Sequence, residues 1–283
     1  MVESYETNEY ALADSVVKIM WIINNSNYEE LRKIEGCQTL WDLNATTTDV
    51  QVIKKMAKAL GVTDENLYHD EEATVDTMKK TYTQILKASR KMSANEVPHV
   101  IMAYCGGHGA TQNEKQVYLL NNSNPQKALF QLEFKLRYLV QDALSYAKVF
   151  AVFDCCRVNM ANMSGLATGR GAGGAEMDDA EDWNTEVCRY FHIQACGPGG
   201  IADADGGFAN RLYDHCLKIS KRKPYGYMEW PRDWMRVRWN PGEICNSGGE
   251  DFFMPFKPEG VTLPQAPQEA APSKGPPPSK GPP

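Results

Sequence analysis

The sequence lacks the features of a membrane-spanning, secreted or zinc-binding protein. No apolar run approaches the roughly 20 residues that a membrane-spanning helix needs. The segment from Met1 to Asp14 has neither the basic start nor the apolar stretch of a signal peptide. The cysteines form no Cys-x-x-Cys pair and the histidines no His-x-x-x-His spacing, so we expect no structural zinc site.

An excess of positive charge is also missing. The net charge is −6 and the isoelectric point is about 5.5, which gives no electrostatic support to a nucleic-acid partner. The chain contains eight cysteines but no secretory signal. We therefore expect reduced thiols and a cytoplasmic protein with no membrane partner.

Apolar runs and amphipathic segments alternate along the chain. Buried strands are predicted at 16–23, 62–69, 99–104, 148–153, 187–196 and 251–254. Apolar residues at helical spacing predict helices at 49–60, 75–86, 129–140 and 208–219. This alternation predicts an α/β fold, a three-layer α/β/α sandwich with a mainly parallel central sheet.

We place one domain at residues 15–256, flanked by two segments of different composition. Residues 1–14 are polar and are predicted to form a flexible arm. Residues 257–283 form a Pro-rich tail that is predicted to be disordered and is a candidate ligand for an SH3- or WW-like partner domain. Within the domain, the Gly-, Ala- and acid-rich residues 158–186 are predicted to be a flexible activation loop.

Reactive side chains follow two of the predicted strands. His108 lies in the glycine-rich loop after the strand at 99–104. The strand at 148–153 is followed by Asp154, Cys155, Cys156 and Arg157. The carboxyl ends of parallel strands meet at one edge of a sheet, where ligands bind. An imidazole and a thiol at such an edge are the parts of a cysteine-protease dyad.

These motifs resemble those of the caspase-like cysteine peptidases, a clan of caspases, metacaspases and paracaspases. The resemblance covers roughly residues 15–255 and includes the sequences Ile-Ile-Asn-Asn at the end of the first strand and Gln-Ala-Cys at 194–196. The Asp-x-Cys-Arg arrangement is most similar to paracaspases, with metacaspases close behind. The resemblance implies a caspase-like fold and a cysteine endopeptidase that acts on protein or peptide substrates.

The resemblance also implies roles for individual residues. Cys156 is the expected nucleophile and His108 the general acid, with the backbone N–H groups of Gly109 and Cys156 as the oxyanion hole. His108 lies 48 positions before Cys156, close to the caspase spacing. The register of the motif favours Cys156 over Cys155, and the distance of 88 positions from His108 disfavours Cys196, which stays the less favoured alternative. The alternative for Cys156 is a buried core cysteine.

Substrate specificity is expected to depend on acids. In metacaspases and paracaspases, matching acids line the pocket for the residue before the scissile bond, and here they fall on Asp49 and Asp154, with Asp203 as a third wall. Two carboxylates would bind Arg bidentately or Lys as a point charge. For Asp49 a helix cap is the alternative role. An Asp-directed pocket would need arginines, for which Arg32 and Arg232 are the open candidates.

The sequence leaves several alternatives for how the expected peptidase activity is regulated. Arg170, in a glycine-rich loop, is the expected self-processing site, with Arg157 and Arg189 as alternatives. Metacaspases often bind calcium through acids after the catalytic histidine, but 110–118 contains only Glu114. Calcium activation is therefore not favoured, and we expect no metal and no cofactor. An inactive caspase-like scaffold, an Asp-directed peptidase, a monomer and a homodimer all remain open.

Overall fold

A six-stranded sheet forms the centre of the molecule. The computed structural model describes residues 12–112, 115–142, 146–159, 163–167, 190–197, 199–202, 207–222, 226–236, 243–247 and 252–263. In spatial order the central strands are β11 (Glu243–Ser247), β9 (Tyr190–Gln194), β7 (Ala147–Cys155), β3 (His99–Gly107), β1 (Val17–Asn24) and β2 (Leu67–Glu71). All pair in parallel except β11, which pairs antiparallel with β9. The mainly parallel sheet is thus confirmed.

The inner strands β1, β3 and β7 are mostly apolar and buried because helices cover both faces of the sheet. In β1, Met20 and Ile22 contribute to one buried cluster, while the intervening Trp21 and Ile23 contribute to another. Successive side chains of a strand point to opposite faces. The two clusters are therefore two separate cores, and the three-layer α/β/α sandwich follows from them.

Four long helices form the outer layers. Helices α1 (Ala45–Ala59) and α5 (Gly207–Arg222) cover one face through apolar residues that include Ile53, Met56 and Leu212. Helices α2 (Val75–Ala94) and α3 (Leu132–Asp142) cover the other face. The described helices also include two of a single turn, α4 (Ser164–Ala167) and α6 (Arg232–Met235). In the described part of the chain, no helix is both long and apolar enough to cross a membrane.

A second, smaller sheet lies beside the first at the end of β3. It contains β6 (Leu129–Phe130), β5 (Lys115–Leu119), β4 (Gly109–Gln112) and β8 (Val158–Asn159), in that order. These strands lie outside the predicted buried strands, because pairing segments this short carry little periodic signal. The predicted strand at 251–254 is β12 (Phe252–Pro255), which forms a separate antiparallel ribbon with β10 (Tyr227–Trp230).

Several element boundaries differ from the sequence prediction. Helix α1 begins at Ala45, four residues before the predicted start, and its N-cap is Asn44. A 3₁₀ turn at Asp64–Asn66 delays β2 to Leu67. Residues 1–11 of the predicted arm, residues 160–162 and 168–186 of the predicted activation loop and residues 264–283 of the predicted tail lie outside the described residues.

Candidate active site

The carboxyl ends of β3 and β7 and the first turns of α1 enclose one cleft. Four of the side chains singled out in the sequence line it: His108, Cys156, Asp49 and Asp154. The rest of the lining consists of Trp41, Leu43, Ala45, Thr46, Gly106, Gly107 and Ala202. The topology explains this meeting, because β3 and β7 are parallel neighbours and residues 106 and 154 stand opposite each other. An imidazole, a thiol and two carboxylates therefore share one cavity.

His108 is held by contacts with the loop that precedes α1. Its ring nitrogen Nε2 lies 2.8 Å from the carbonyl oxygen of Trp41. A carbonyl oxygen can only accept, so Nε2 carries a hydrogen and, in the neutral ring, Nδ1 carries the lone pair. The backbone N–H of His108 donates to the hydroxyl of Tyr28 at 2.8 Å. The Tyr28 ring packs edge-on against the imidazole, with centroids 4.5 Å apart.

Gly107, just before His108, is needed for this close packing. Its φ of +152° is one that side-chain-bearing residues rarely adopt. A Cβ at this position would lie 2.5 Å from the Tyr28 hydroxyl oxygen and 2.6 Å from that of Tyr118. Tyr118 in turn donates to the carbonyl of Gly106 at 2.6 Å. The two tyrosines therefore fix the loop that carries the imidazole, and they can do so because a glycine leaves room for them.

Cys156 follows β7 directly and is half-buried. The next residue, Arg157, pairs with the loop after β9: its N–H donates to the Gly200 carbonyl at 3.0 Å and its carbonyl accepts from Gly199 at 3.1 Å. Burial raises the pKa of the Cys156 thiol, against a hydrogen bond from the Ala202 backbone that lowers this pKa. Burial likewise lowers the pKa of His108. Both shifts favour the uncharged forms, so a neutral thiol and a neutral imidazole share the cleft near pH 7.

Two further cysteines lie close to Cys156 but do not line the cleft. Cys155, the last residue of β7, is buried among the apolar side chains under α3. Cys196 is 8% exposed, and its thiol donates to the Cys155 carbonyl oxygen at 3.5 Å. Burial raises the pKa of Cys196 to about 11. A thiol with so high a pKa contains very little thiolate at neutral pH, and the thiolate is the nucleophilic form.

The two acids enter the cleft from different elements. Asp154, near the end of β7, accepts from the Tyr104 hydroxyl at 2.8 Å. Asp49 is 4% exposed and lies in the second turn of α1. After burial, the charges of Asp154 and Asp49 are the next largest causes that raise the pKa of Tyr104. The helix-cap role considered for Asp49 is wrong, because the helix starts four residues earlier, in a segment whose Thr46 is buried against the domain.

The other predicted residues lie elsewhere. Gly109 is the first residue of β4, where a Cβ would stand 2.9 Å from the Cys156 carbonyl oxygen. Arg32 forms an ion pair with Asp42 at 2.8 Å and Arg232 one with Glu229 at 2.5 Å, and neither arginine lines the cleft.

Asp203 and the predicted processing residues Arg170 and Arg189 lie outside the described residues. Among the described residues, no group of three or more His, Cys, Asp or Glu side chains could hold a metal ion.

Sequence reasoning missed the groups that hold these side chains in place. The partner of His108 is a main-chain carbonyl, which leaves no trace in residue identity. Tyr28, Tyr104 and Tyr118 act through hydroxyl groups from the loop after β1, from β3 and from β5. The adjacent pair Gly106 and Gly107 was the one available signal, since consecutive glycines before a reactive histidine indicate close packing of the backbone.

Comparison with known proteins identifies the family. The profile described as the caspase domain matches residues 17–247, and no curated protein matches the sequence. The initiator caspase Dronc of Drosophila aligns at 11% identity with a TM-score of 0.43, over 70% of this chain and 64% of the Dronc chain. Protein GSU0716 of Geobacter sulfurreducens aligns at 14% identity with a TM-score of 0.48, over 83% of this chain and 95% of its own. The chain belongs to the caspase domain family of cysteine peptidases.

Proposed function

We propose that this protein is a cysteine endopeptidase that cleaves protein substrates after a basic residue, Arg or Lys, with Cys156 and His108 as its dyad. One observation carries the proposal: the cleft that contains both reactive side chains is also lined by the carboxylates of Asp49 and Asp154. The Asp-x-Cys-Arg motif, which is most similar to paracaspases and metacaspases, agrees with this specificity.

The charges of the cleft favour a cationic substrate residue over an acidic one. Asp49 and Asp154 line the cleft, and no Arg or Lys of the described residues lines it with them. Arg32 and Arg232, the candidates for an Asp-directed pocket, are each paired with another acid. An aspartate side chain would therefore meet two like charges without a compensating cation, whereas a guanidinium would form charge-assisted hydrogen bonds with them.

The proposed reaction begins with attack of the Cys156 sulfur on the carbonyl carbon of the scissile bond. The thiol proton passes to Nδ1 of His108, the nitrogen left free by the bond between Nε2 and the Trp41 carbonyl. The carbonyl oxygen becomes an oxyanion, for which the N–H groups of Gly109 and Cys156 are the proposed donors.

Collapse of this intermediate breaks the scissile C–N bond. The leaving amine takes the proton from His108, which acts as general acid, and the substrate acyl group remains on Cys156 as a thioester. Water then attacks the thioester carbon with His108 as general base. The proton returns to the sulfur, which releases the carboxylate product and restores the neutral dyad.

The remaining expectations extend this proposal. Asp203 directly follows Ala202, which lines the cleft, and we propose it as a third wall of the specificity pocket. Arg170 is the proposed self-processing site. We propose that activity needs no calcium, that protein or peptide substrates are the main partners, and that the Pro-rich tail is a candidate docking segment.

The test of the proposal is hydrolysis of three fluorogenic peptides that differ only in carrying Arg, Lys or Asp before the reporter group. We expect cleavage after Arg and Lys and none after Asp, since two carboxylates attract the first two side chains and repel the third. Cleavage after Asp would overturn the basic specificity. No cleavage of any of the three, with and without calcium and at salt concentrations that promote dimers, would favour the inactive scaffold.

The neutral resting dyad makes a separate prediction about pH. Because burial raises the pKa of Cys156 and lowers that of His108, we expect the alkylation rate of Cys156 by iodoacetamide to rise about tenfold per pH unit from pH 6 towards the thiol pKa. Mass spectrometry of the alkylated peptide measures this rate. A thiolate–imidazolium pair would instead show a plateau through this range, which would contradict the neutral dyad.

A further inference from the structure

Strand β5 contacts both the His108 loop and the Cys156 loop of the candidate active site, although it belongs to the smaller sheet. Gln116 and Tyr118 are two residues apart on this strand, so their side chains point to the same face. Tyr118 donates to the Gly106 carbonyl at the base of the His108 loop at 2.6 Å. Gln116 reaches the Cys156 loop. One strand thus links the two loops that carry the reactive side chains.

The side-chain amide of Gln116 lies beneath Cys156. Its Nε2 is 3.1 Å from the carbonyl oxygen of Cys156, 3.1 Å from that of Val117 and 3.2 Å from the sulfur of Cys155. An amide nitrogen carries two hydrogens and sulfur is the weakest of these acceptors, so the two carbonyls are its main partners. Gln116 is 1% exposed, and water cannot replace these bonds.

Gly109 makes room for this amide. A Cβ on Gly109 would collide with Gln116 Nε2 and would approach the Cys155 sulfur and the Cys156 carbonyl oxygen, each at 2.9 Å. The amide therefore fits between the backbone of Gly109 and that of Cys156. These are the two segments that supply the N–H groups of the proposed oxyanion hole.

Gln116 is itself held from the side of α3. Its backbone N–H donates to Glu133 Oε2 at 2.8 Å. The other oxygen of this buried carboxylate accepts two bonds from Arg137, at 3.0 Å from Nε and 2.8 Å from Nη2. A charge-assisted pair of this kind fixes the position of the strand more firmly than a neutral hydrogen bond does.

We propose that Gln116 is a positioning residue, whose amide sets the Cys156 peptide group at a fixed distance from Gly109 and His108. The expected effect of this role on kcat rests on the proposed function. The expected effect on the mobility of the Cys156 loop does not depend on it. The hydrogen bond to the Cys156 carbonyl would restrain the nucleophile loop whether or not a substrate is cleaved.

The test compares Gln116→Met, which keeps the length of the side chain and removes its donor, with Gln131→Met. Gln131 is also buried, and its Oε1 accepts no hydrogen bond from the described residues.

For Gln116→Met we expect kcat to fall about 100-fold with KM changed less than about threefold, because the substrate still binds but the reacting groups are misplaced. Hydrogen exchange, followed by mass spectrometry, should be faster in residues 155–159 and unchanged in β1. Gln131→Met should show neither change.

A second variant, Gln116→Glu, separates positioning from simple loss of stability. The protonated carboxyl group can donate one hydrogen bond and the ionised one cannot. We therefore expect its kcat, relative to the unmodified protein, to decline as the pH rises. Unchanged exchange in 155–159, or faster exchange throughout the domain of Gln116→Met, would overturn the proposal. If the unmodified protein cleaves no peptide, the proposed function fails and the exchange pattern alone decides the role of Gln116.

Discussion

Cys156→Ala should abolish cleavage of the arginine peptide, with a fall in kcat on the order of 10⁵. The reason is chemical, since alanine has no atom that can form the thioester. Among Cys155, Cys156 and Cys196, Cys156 is the one that lines the cleft together with His108. The initial rate of peptide hydrolysis measures the effect, and the melting temperature of the variant shows that it is folded.

Cys196→Ala is the matched control for this variant. It makes the same change at a buried thiol outside the cleft and removes weak hydrogen bonds of the sulfur, one to the Cys155 carbonyl and one with the Arg157 backbone. We expect its kcat to stay within about threefold of the unmodified protein. Activity that survives Cys156→Ala but not Cys196→Ala would move the nucleophile to the Gln-Ala-Cys motif at 194–196 and would contradict the assignment made here.

The second large effect is expected on the selection of a basic substrate residue by the two acids of the cleft. Asp154→Asn and Asp49→Asn should each lower kcat/KM for the arginine peptide by about 30- to 1,000-fold, which corresponds to the loss of one charged partner of a buried guanidinium. Asparagine keeps the size of the side chain, and its carbonyl oxygen can still accept the Tyr104 hydroxyl at position 154. The loss therefore reports on charge rather than on packing.

The specificity prediction has two internal checks. Alkylation of Cys156 by iodoacetamide should not become slower in Asp154→Asn or Asp49→Asn, because this small reagent has no cationic side chain to bind and the charge of Asp154 is one of the causes that raise the pKa of the thiol. Asp64→Asn, at an exposed acid in the 3₁₀ turn before β2, should leave kcat/KM unchanged. An equal loss of activity towards arginine and uncharged peptides would show that the two carboxylates do not select the substrate residue.

Asp49 illustrates how tertiary structure changes the interpretation of a local pattern. The sequence placed it at a helix start because the apolar residues at helical spacing, from Ile53 to Leu60, all follow it. In the structure the preceding segment, Ala-Thr-Thr-Thr at 45–48, is the first turn of α1, with Thr46 buried and its N–H bonded to the Leu43 carbonyl. Packing against the domain outweighs the weak propensity of the threonines. The extra turn moves Asp49 away from the cap and into the cleft.

Most of the fold could be predicted because its signals are strong and local. The runs that became β1, β3 and β7 are apolar on both faces, which is typical of parallel strands between helix layers. The small second sheet could not be predicted in the same way. Its strands are two to five residues long, and their pairing depends on contacts between segments that are distant in the chain.

The sequence by itself determined the class of fold and the edge of the sheet at which His108 and Cys156 meet. Both follow from the alternation of apolar runs and amphipathic segments, which is written in the residue types. Only the tertiary structure decided which groups hold the two side chains: the Trp41 carbonyl on His108 and the Gln116 amide beneath Cys156. A main-chain carbonyl is the same at every position, and the reach of an amide depends on how two sheets pack. Neither can be inferred from the identity of a residue alone.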